Sequence, residues 1–102
     1  MRLQQKVAII TGSTSGIGEA AARCFATEGA IVILTGRREE KGQAIVREIV
    51  RNGGKAHFIQ ADITEEKSYS KIVDETLRQY GQIDILVNNV HRWRTSLSIN
   101  RG

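Results

Sequence analysis

Short, nearly unbroken apolar runs alternate along this chain with longer stretches whose apolar residues return every three or four positions. The runs are "VAII" (7–10), "IVIL" (31–34), "HFI" (57–59) and "ILV" (85–87). Such compact segments, rich in β-branched residues, suit strands buried on both faces of a parallel sheet. Between them, residues 17–28 set Ile17, Ala21, Cys24 and Phe25 on one side of a helix, which Gly29 ends. Residues 39–51 group Ile45, Val46, Ile49 and Val50 ahead of "NGG" (52–54). Residues 65–80 carry Tyr69, Ile72, Val73, Thr76, Leu77 and Tyr80 at helical spacing. Thr64 is the expected N-cap of that last helix, with Glu65 and Glu66 against its positive end and Gly81 as its stop.

The pattern predicts β-α-β-α-β-α-β with short joins. Right-handed crossovers then place the helices on the two faces of one parallel sheet. This is an α/β architecture, the first half of a doubly wound nucleotide-binding fold. After Asn89 the pattern stops: "VHRWRTSLSINRG" brings three arginines and a tryptophan without apolar periodicity. The expected organisation is a partial domain over residues 6–89 and a divergent basic tail over residues 90–102.

Composition changes this picture little. The 102 residues allow at most one domain, and 40% apolar residues suffice for a core. The net charge of +4 is uneven: residues 1–90 carry a net +1, and Arg92, Arg94 and Arg101 supply the remainder. The basic pI therefore belongs mostly to the tail and is weak support for nucleic-acid binding. Cys24 is the single cysteine, which excludes an internal disulfide and suits a reducing compartment. Its helical spacing predicts a buried structural thiol. No run is long enough to span a membrane, so the expected location is cytoplasmic.

The strongest chemical signal is "TGSTSGIG", Thr11 to Gly18, between the first strand and the first helix. A diphosphate requires close backbone N–H groups and the positive end of a helix dipole behind them. Gly12 can take the positive φ of a tight turn, while Gly16 and Gly18 remove side chains that would block close approach. Ser13, Thr14 and Ser15 add hydroxyl donors. An ordinary Gly/Ser loop is the alternative, disfavoured by the placement between a strand and an amphipathic helix.

The spacing Thr-Gly-x-x-x-Gly-x-Gly resembles the cofactor loop of the short-chain dehydrogenase/reductase family, at Thr11, Gly12, Gly16, Ile17 and Gly18. "ADIT" (61–64) resembles that family's Asp after the third strand, and "ILVNN" (85–89) the start of its Asn-Asn-Ala-Gly segment. The resemblance implies a Rossmann-type sheet of partial order 3-2-1-4. It also implies that Asp62 receives the adenine amino group, that the backbone of Ile63 meets the ring, and that Asn89 lies at the site. The alternative for Asp62 is a turn or capping residue, and for Asn88 and Asn89 turn formers only.

Charge bears on the choice of cofactor. An acid ending the second strand would bond a ribose 2′-OH and repel a 2′-phosphate. Here Gly36 occupies that place, followed by Arg37 and Arg38. A guanidinium pairs with a phosphate through two donors. The family resemblance implies NADP(H) with Arg37 on the 2′-phosphate, although Ser15 stands where the family's second basic residue would be. NAD(H) remains the alternative, with both arginines as solvated residues of a helix start.

The resemblance further implies reversible hydride transfer between a nicotinamide and a small carbonyl or alcohol substrate, in proteins that are commonly homo-oligomers. Its acid/base Tyr, with a Lys four residues later, has no counterpart: Val73 follows Tyr69 and Asp84 follows Tyr80 at that spacing. No catalytic residue and no metal ligand is assigned, and turnover by this chain alone is doubtful. The strand at 84–88 is expected to be an exposed edge, with low solubility or weak stability as the consequence. Two other classes compete: a non-catalytic nucleotide-binding or interaction module, and single-strand nucleic-acid binding through "HRWR" (91–94). Neither a nucleic-acid nor a membrane partner is favoured.

Overall fold

The structure is a computed structural model describing residues 3–12, 16–62, 66–90 and 94–99. Its elements follow the predicted alternation through the fourth strand: β1 Val7–Thr11, α1 Gly16–Thr27, β2 Ile31–Gly36, α2 Glu39–Arg51, β3 Lys55–Gln60, α3 Glu66–Tyr80 and β4 Ile85–Val90; β5 Arg94–Ile99 is an addition. The sheet order is β3-β2-β1-β4-β5. β1 pairs in parallel with β2 (Val7 opposite Ile31) and with β4 (Ala8 opposite Ile85), and β2 pairs in parallel with β3 (Ile31 opposite Lys55). The expected order 3-2-1-4 is therefore present, in a Rossmann-type sheet.

Burial explains why these runs are strands. Every residue of β1 is buried, as its central place requires. Successive side chains of a strand point to opposite faces, and the core divides accordingly. Ala8, Ile10, Val32 and Leu34 pack with Ala22 of α1 and with Ile45 and Ile49 of α2. Val7, Ile9 and Ile33 pack with Ile72 of α3. Each large apolar side chain buried this way contributes roughly 1.5–3 kcal/mol relative to exposure. The helices thus cover both faces, two on one side and one on the other.

Two expectations about packing are corrected. Cys24 is exposed and Ile17 is 69% exposed, so neither belongs to the buried stripe of α1. That stripe is Gly18 and Ala22, flanked by the partly buried Ala21, Phe25 and Ala26. The smallest side chains face the sheet because they let the helix lie close to it, which rotates the bulkier Ile17 and Cys24 outward. On the other helices Val50, Val73 and Leu77 are likewise exposed, although the periodicity groups them with the core. A helix laid on one sheet buries one row of residues well and its flanks poorly.

The third correction concerns the edge. β4 is not the sheet's outer strand, because β5 pairs with it antiparallel from Ile85 opposite Ile99 to Val90 opposite Arg94. The residues after Asn89 therefore include a strand, and the expected instability loses its stated cause at β4. The remaining tail residues and Thr64 lie outside the described residues.

Hydrogen bonds between distant segments tie the start of β1 to β4. The Val7 amide donates to Asp84 Oδ2 at 2.9 Å, and the Asp84 amide donates to the Val7 carbonyl at 2.9 Å. Gln82 Nε2 donates to the same Asp84 oxygen at 2.6 Å and to the Gln5 carbonyl at 3.2 Å. On the face covered by α1 and α2, Arg23 of α1 bridges Glu19 at 3.0 Å and Glu48 of α2 at 2.8 Å. The guanidinium holds the Glu48 carboxyl below its ordinary pKa.

Asp84→Ala removes the acceptor of a buried strand amide. It should lower unfolding free energy by about 1–3 kcal/mol in urea titration; unchanged stability would count against this junction. Gly42 of α2 sits against the Phe58 ring so closely that a Cβ would overlap it. Gly42→Ala gains about 1 kcal/mol of helix propensity but overpacks the core at a cost of about 1–3 kcal/mol. The expected outcome is a lower melting temperature, and a higher one would contradict the close packing.

Candidate functional site

In a parallel sheet the carboxyl ends of the strands lie along one rim, and the residues just beyond them meet there. Thr11 ends β1, is fully buried, and donates from Oγ1 to the Val87 carbonyl of β4 at 3.4 Å. That bond fixes where the chain leaves the sheet. Gly12 then turns with φ 63°, and α1 begins at Gly16 with φ 41°. Both values favour glycine. At Gly16 the requirement is purely conformational, since an added Cβ would meet nothing.

The first turn of α1 presents backbone N–H groups without helical acceptors and the positive end of the helix dipole. Ile17 lies exposed in this turn, while Gly18 is buried beneath it. Ser13, Thr14, Ser15 and Ile63, which the sequence also marks, lie outside the described residues.

The neighbouring strand ends bring the other candidates to the same rim. Gly36 ends β2, and Arg37 and Arg38 follow, both exposed. Arg38 is the N-cap of α2 with extended backbone (φ −97°, ψ 97°) and makes no side-chain capping bond. Beyond β3 the Ala61 amide donates to the Gly36 carbonyl at 2.9 Å, which sets the half-buried Asp62 beside the end of β2. Asn88 and Asn89 belong to β4, with Asn88 in register with Thr11. The fold thus gathers Gly12, Arg37, Asp62 and Asn89 from four strand ends.

Two further residues at this rim carry no motif. Gln60 Nε2 donates to the Arg37 carbonyl at 3.2 Å, and Lys71 Nζ of α3 donates to the Gln60 carbonyl at 3.1 Å. The only hint in the sequence is position: Gln60 follows the apolar run "HFI" at the end of a strand. Among the described residues there is no group of His, Cys, Asp and Glu fit to hold a metal, and no helix long and apolar enough to cross a membrane.

A model of the family described as short chain dehydrogenase matches residues 6–98. The chain belongs to this family. The match continues past Asn89, beyond the motifs that carry the resemblance in sequence. The chain is 42% identical over 99 residues to a 7alpha-hydroxysteroid dehydrogenase of Clostridium sardiniense, covering 97% of this chain and 38% of that protein. It is 40% identical over 88 residues to a 3beta-hydroxysteroid dehydrogenase of Mediterraneibacter gnavus, covering 86% of this chain and 32% of that protein. Among solved structures, a metagenomic short-chain oxidoreductase in complex with NADP superposes with a TM-score of 0.83 at 39% identity, over 88% of this chain and 41% of that one. The chain therefore spans about a third of the length of these curated short-chain dehydrogenases.

Proposed function

We propose that this chain is the dinucleotide-binding part of an NADP(H)-dependent short-chain dehydrogenase/reductase, acting in a carbonyl/alcohol oxidoreduction. The observation that carries the reading is the combination of two features on one rim. Gly12 and Gly16 hold positive φ after β1 and at the first residue of α1, and Gly36 ends the neighbouring strand, with Arg37 next, where an acid would exclude a 2′-phosphate. The charges at this rim suit such a cofactor: Gly36 stands where an acid would repel a 2′-phosphate, and Arg37 and Arg38 are exposed beside it.

In this reading the backbone of Thr11–Gly18, with the hydroxyls of Ser13, Thr14 and Ser15, receives the diphosphate, and Ile17 lies against the cofactor. Arg37 pairs with the 2′-phosphate, with Arg38 as its neighbour. Asp62 and Ile63 define the adenine pocket, and Asn89 borders the nicotinamide end. The bound cofactor supplies the hydride acceptor or donor. This chain's own residues bind and orient it.

Tyr69 and Tyr80 are half-buried on α3, and neither is followed by a lysine at the fourth position. No proton donor is therefore assigned to either, and carbonyl reduction by this chain alone is not expected. The same observation supports a second reading, a non-catalytic nucleotide-binding module. The two separate in a single assay, since NADPH binding without reduction of any carbonyl compound fits the module. Cytoplasmic location and homo-oligomeric assembly belong to the proposal as well, and "HRWR" falls largely outside the described residues.

A charged bidentate bond contributes about 1.5–3 kcal/mol, so Arg37→Ala should weaken NADPH binding roughly 10–100-fold and leave NADH binding unchanged. Fluorescence titration of both cofactors checks this. Tighter binding of NADH than NADPH by the native chain, indifferent to Arg37→Ala, would remove the NADP(H) assignment.

A further inference from the structure

We infer that Gln60 is a positioning residue for cofactor choice, holding the Arg37–Arg38 connection in the conformation that meets the 2′-phosphate. The inference rests on the NADP(H) reading above. It begins with the geometry of the β2–α2 join. β2 ends at Gly36 and α2 begins at Glu39, so the two arginines occupy the whole connection. Both are exposed, and Arg38 contributes no capping bond from its side chain. An exposed arginine loses conformational freedom on pairing with a phosphate, and any freedom left in its own backbone adds to that cost.

The hydrogen bond from Gln60 Nε2 to the Arg37 carbonyl at 3.2 Å limits that freedom before any ligand arrives. Gln60 can serve because its own backbone is held. It is the last residue of β3, paired with Gly36 in the ladder. Its carbonyl accepts from Lys71 Nζ at 3.1 Å, which ties the strand end to α3 on the opposite face. Arg37 is thus reached through a relay from α3 to β3 to the β2–α2 connection. The side chain of Gln60 is exposed and adds no packing to the core, so the contact it makes is the bond to Arg37.

The discriminating feature is specificity. A residue that merely stabilises the domain would weaken NADPH and NADH binding together. Gln60 acts through Arg37, so its loss should affect NADPH alone, and only while Arg37 is present. The experiment is a double-mutant cycle on the full chain with Gln60→Met, Arg37→Ala and the pair, titrated with NADPH and NADH. Gln60→Leu serves as the second variant, and thermal melting of each verifies folding.

The expected result is an NADPH dissociation constant raised about 3–10-fold by Gln60→Met, the effect of one lost hydrogen bond. NADH binding should be unchanged, and the Gln60 effect should vanish in the Arg37→Ala background. If the native chain prefers NADPH and Arg37→Ala abolishes the preference, but both Gln60 variants keep it, this inference is wrong while the cofactor reading holds. Additive effects in the cycle would overturn it as well. If the native chain shows no preference for NADPH, the cofactor reading fails first and the inference falls with it.

Discussion

The parallel pairing of β1 with β2 on one side and β4 on the other is the constraint on which the rest of the structure depends. β1 is five residues long and wholly buried, so its backbone must be satisfied by both neighbours and its side chains by helices on both faces. One of those neighbours is separated from it by more than seventy residues of sequence, as the 77-residue span between Val7 and Asp84 shows. The reciprocal bonds of Val7 with Asp84 fix where that pairing begins. The Thr11 hydroxyl on the Val87 carbonyl marks where it ends.

The proposed function follows from that register. With β2, β3 and β4 parallel to β1, the carboxyl ends share a rim: Gly12, Arg37 and Asp62 stand just beyond β1, β2 and β3, and Asn89 lies near the end of β4. The small inward residues of α1, Gly18 and Ala22, bring the helix close behind the turn. Positive φ at Gly12 and Gly16 lets the chain make that turn without a Cβ penalty. The residues that close α1 onto the sheet thus also set its N-terminus at the rim, where the proposed anion site lies.

Much of this was legible in the sequence because the relevant signals are local. β-branched runs as short as "VAII" and "IVIL" suit interior strands, and Gly29, Gly53 and Gly81 all adopt positive φ where helices end. The phase of α1 was not legible. Periodicity admits Ile17 and Cys24 to the inward stripe as readily as Gly18 and Ala22, and close approach to the sheet decides between them. β5 was missed for a different reason. Leu97 and Ile99 do alternate with Ser96 and Ser98, but the signal is short and surrounded by charge, and its pairing with β4 is tertiary. Gln60 and Lys71 gave no motif because their contacts join three separate elements.

The central claim is that the carboxyl-end rim is a dinucleotide site, and backbone amide shifts of the isotope-labelled chain on titration with NADPH test it most directly. The account predicts the largest perturbations at Gly12, Gly16, Arg37, Asp62 and Asn89, saturating together. Perturbations concentrated at the opposite end of the sheet, around Gly29, Gly53 and Gly54, or none at saturating NADPH, would contradict it.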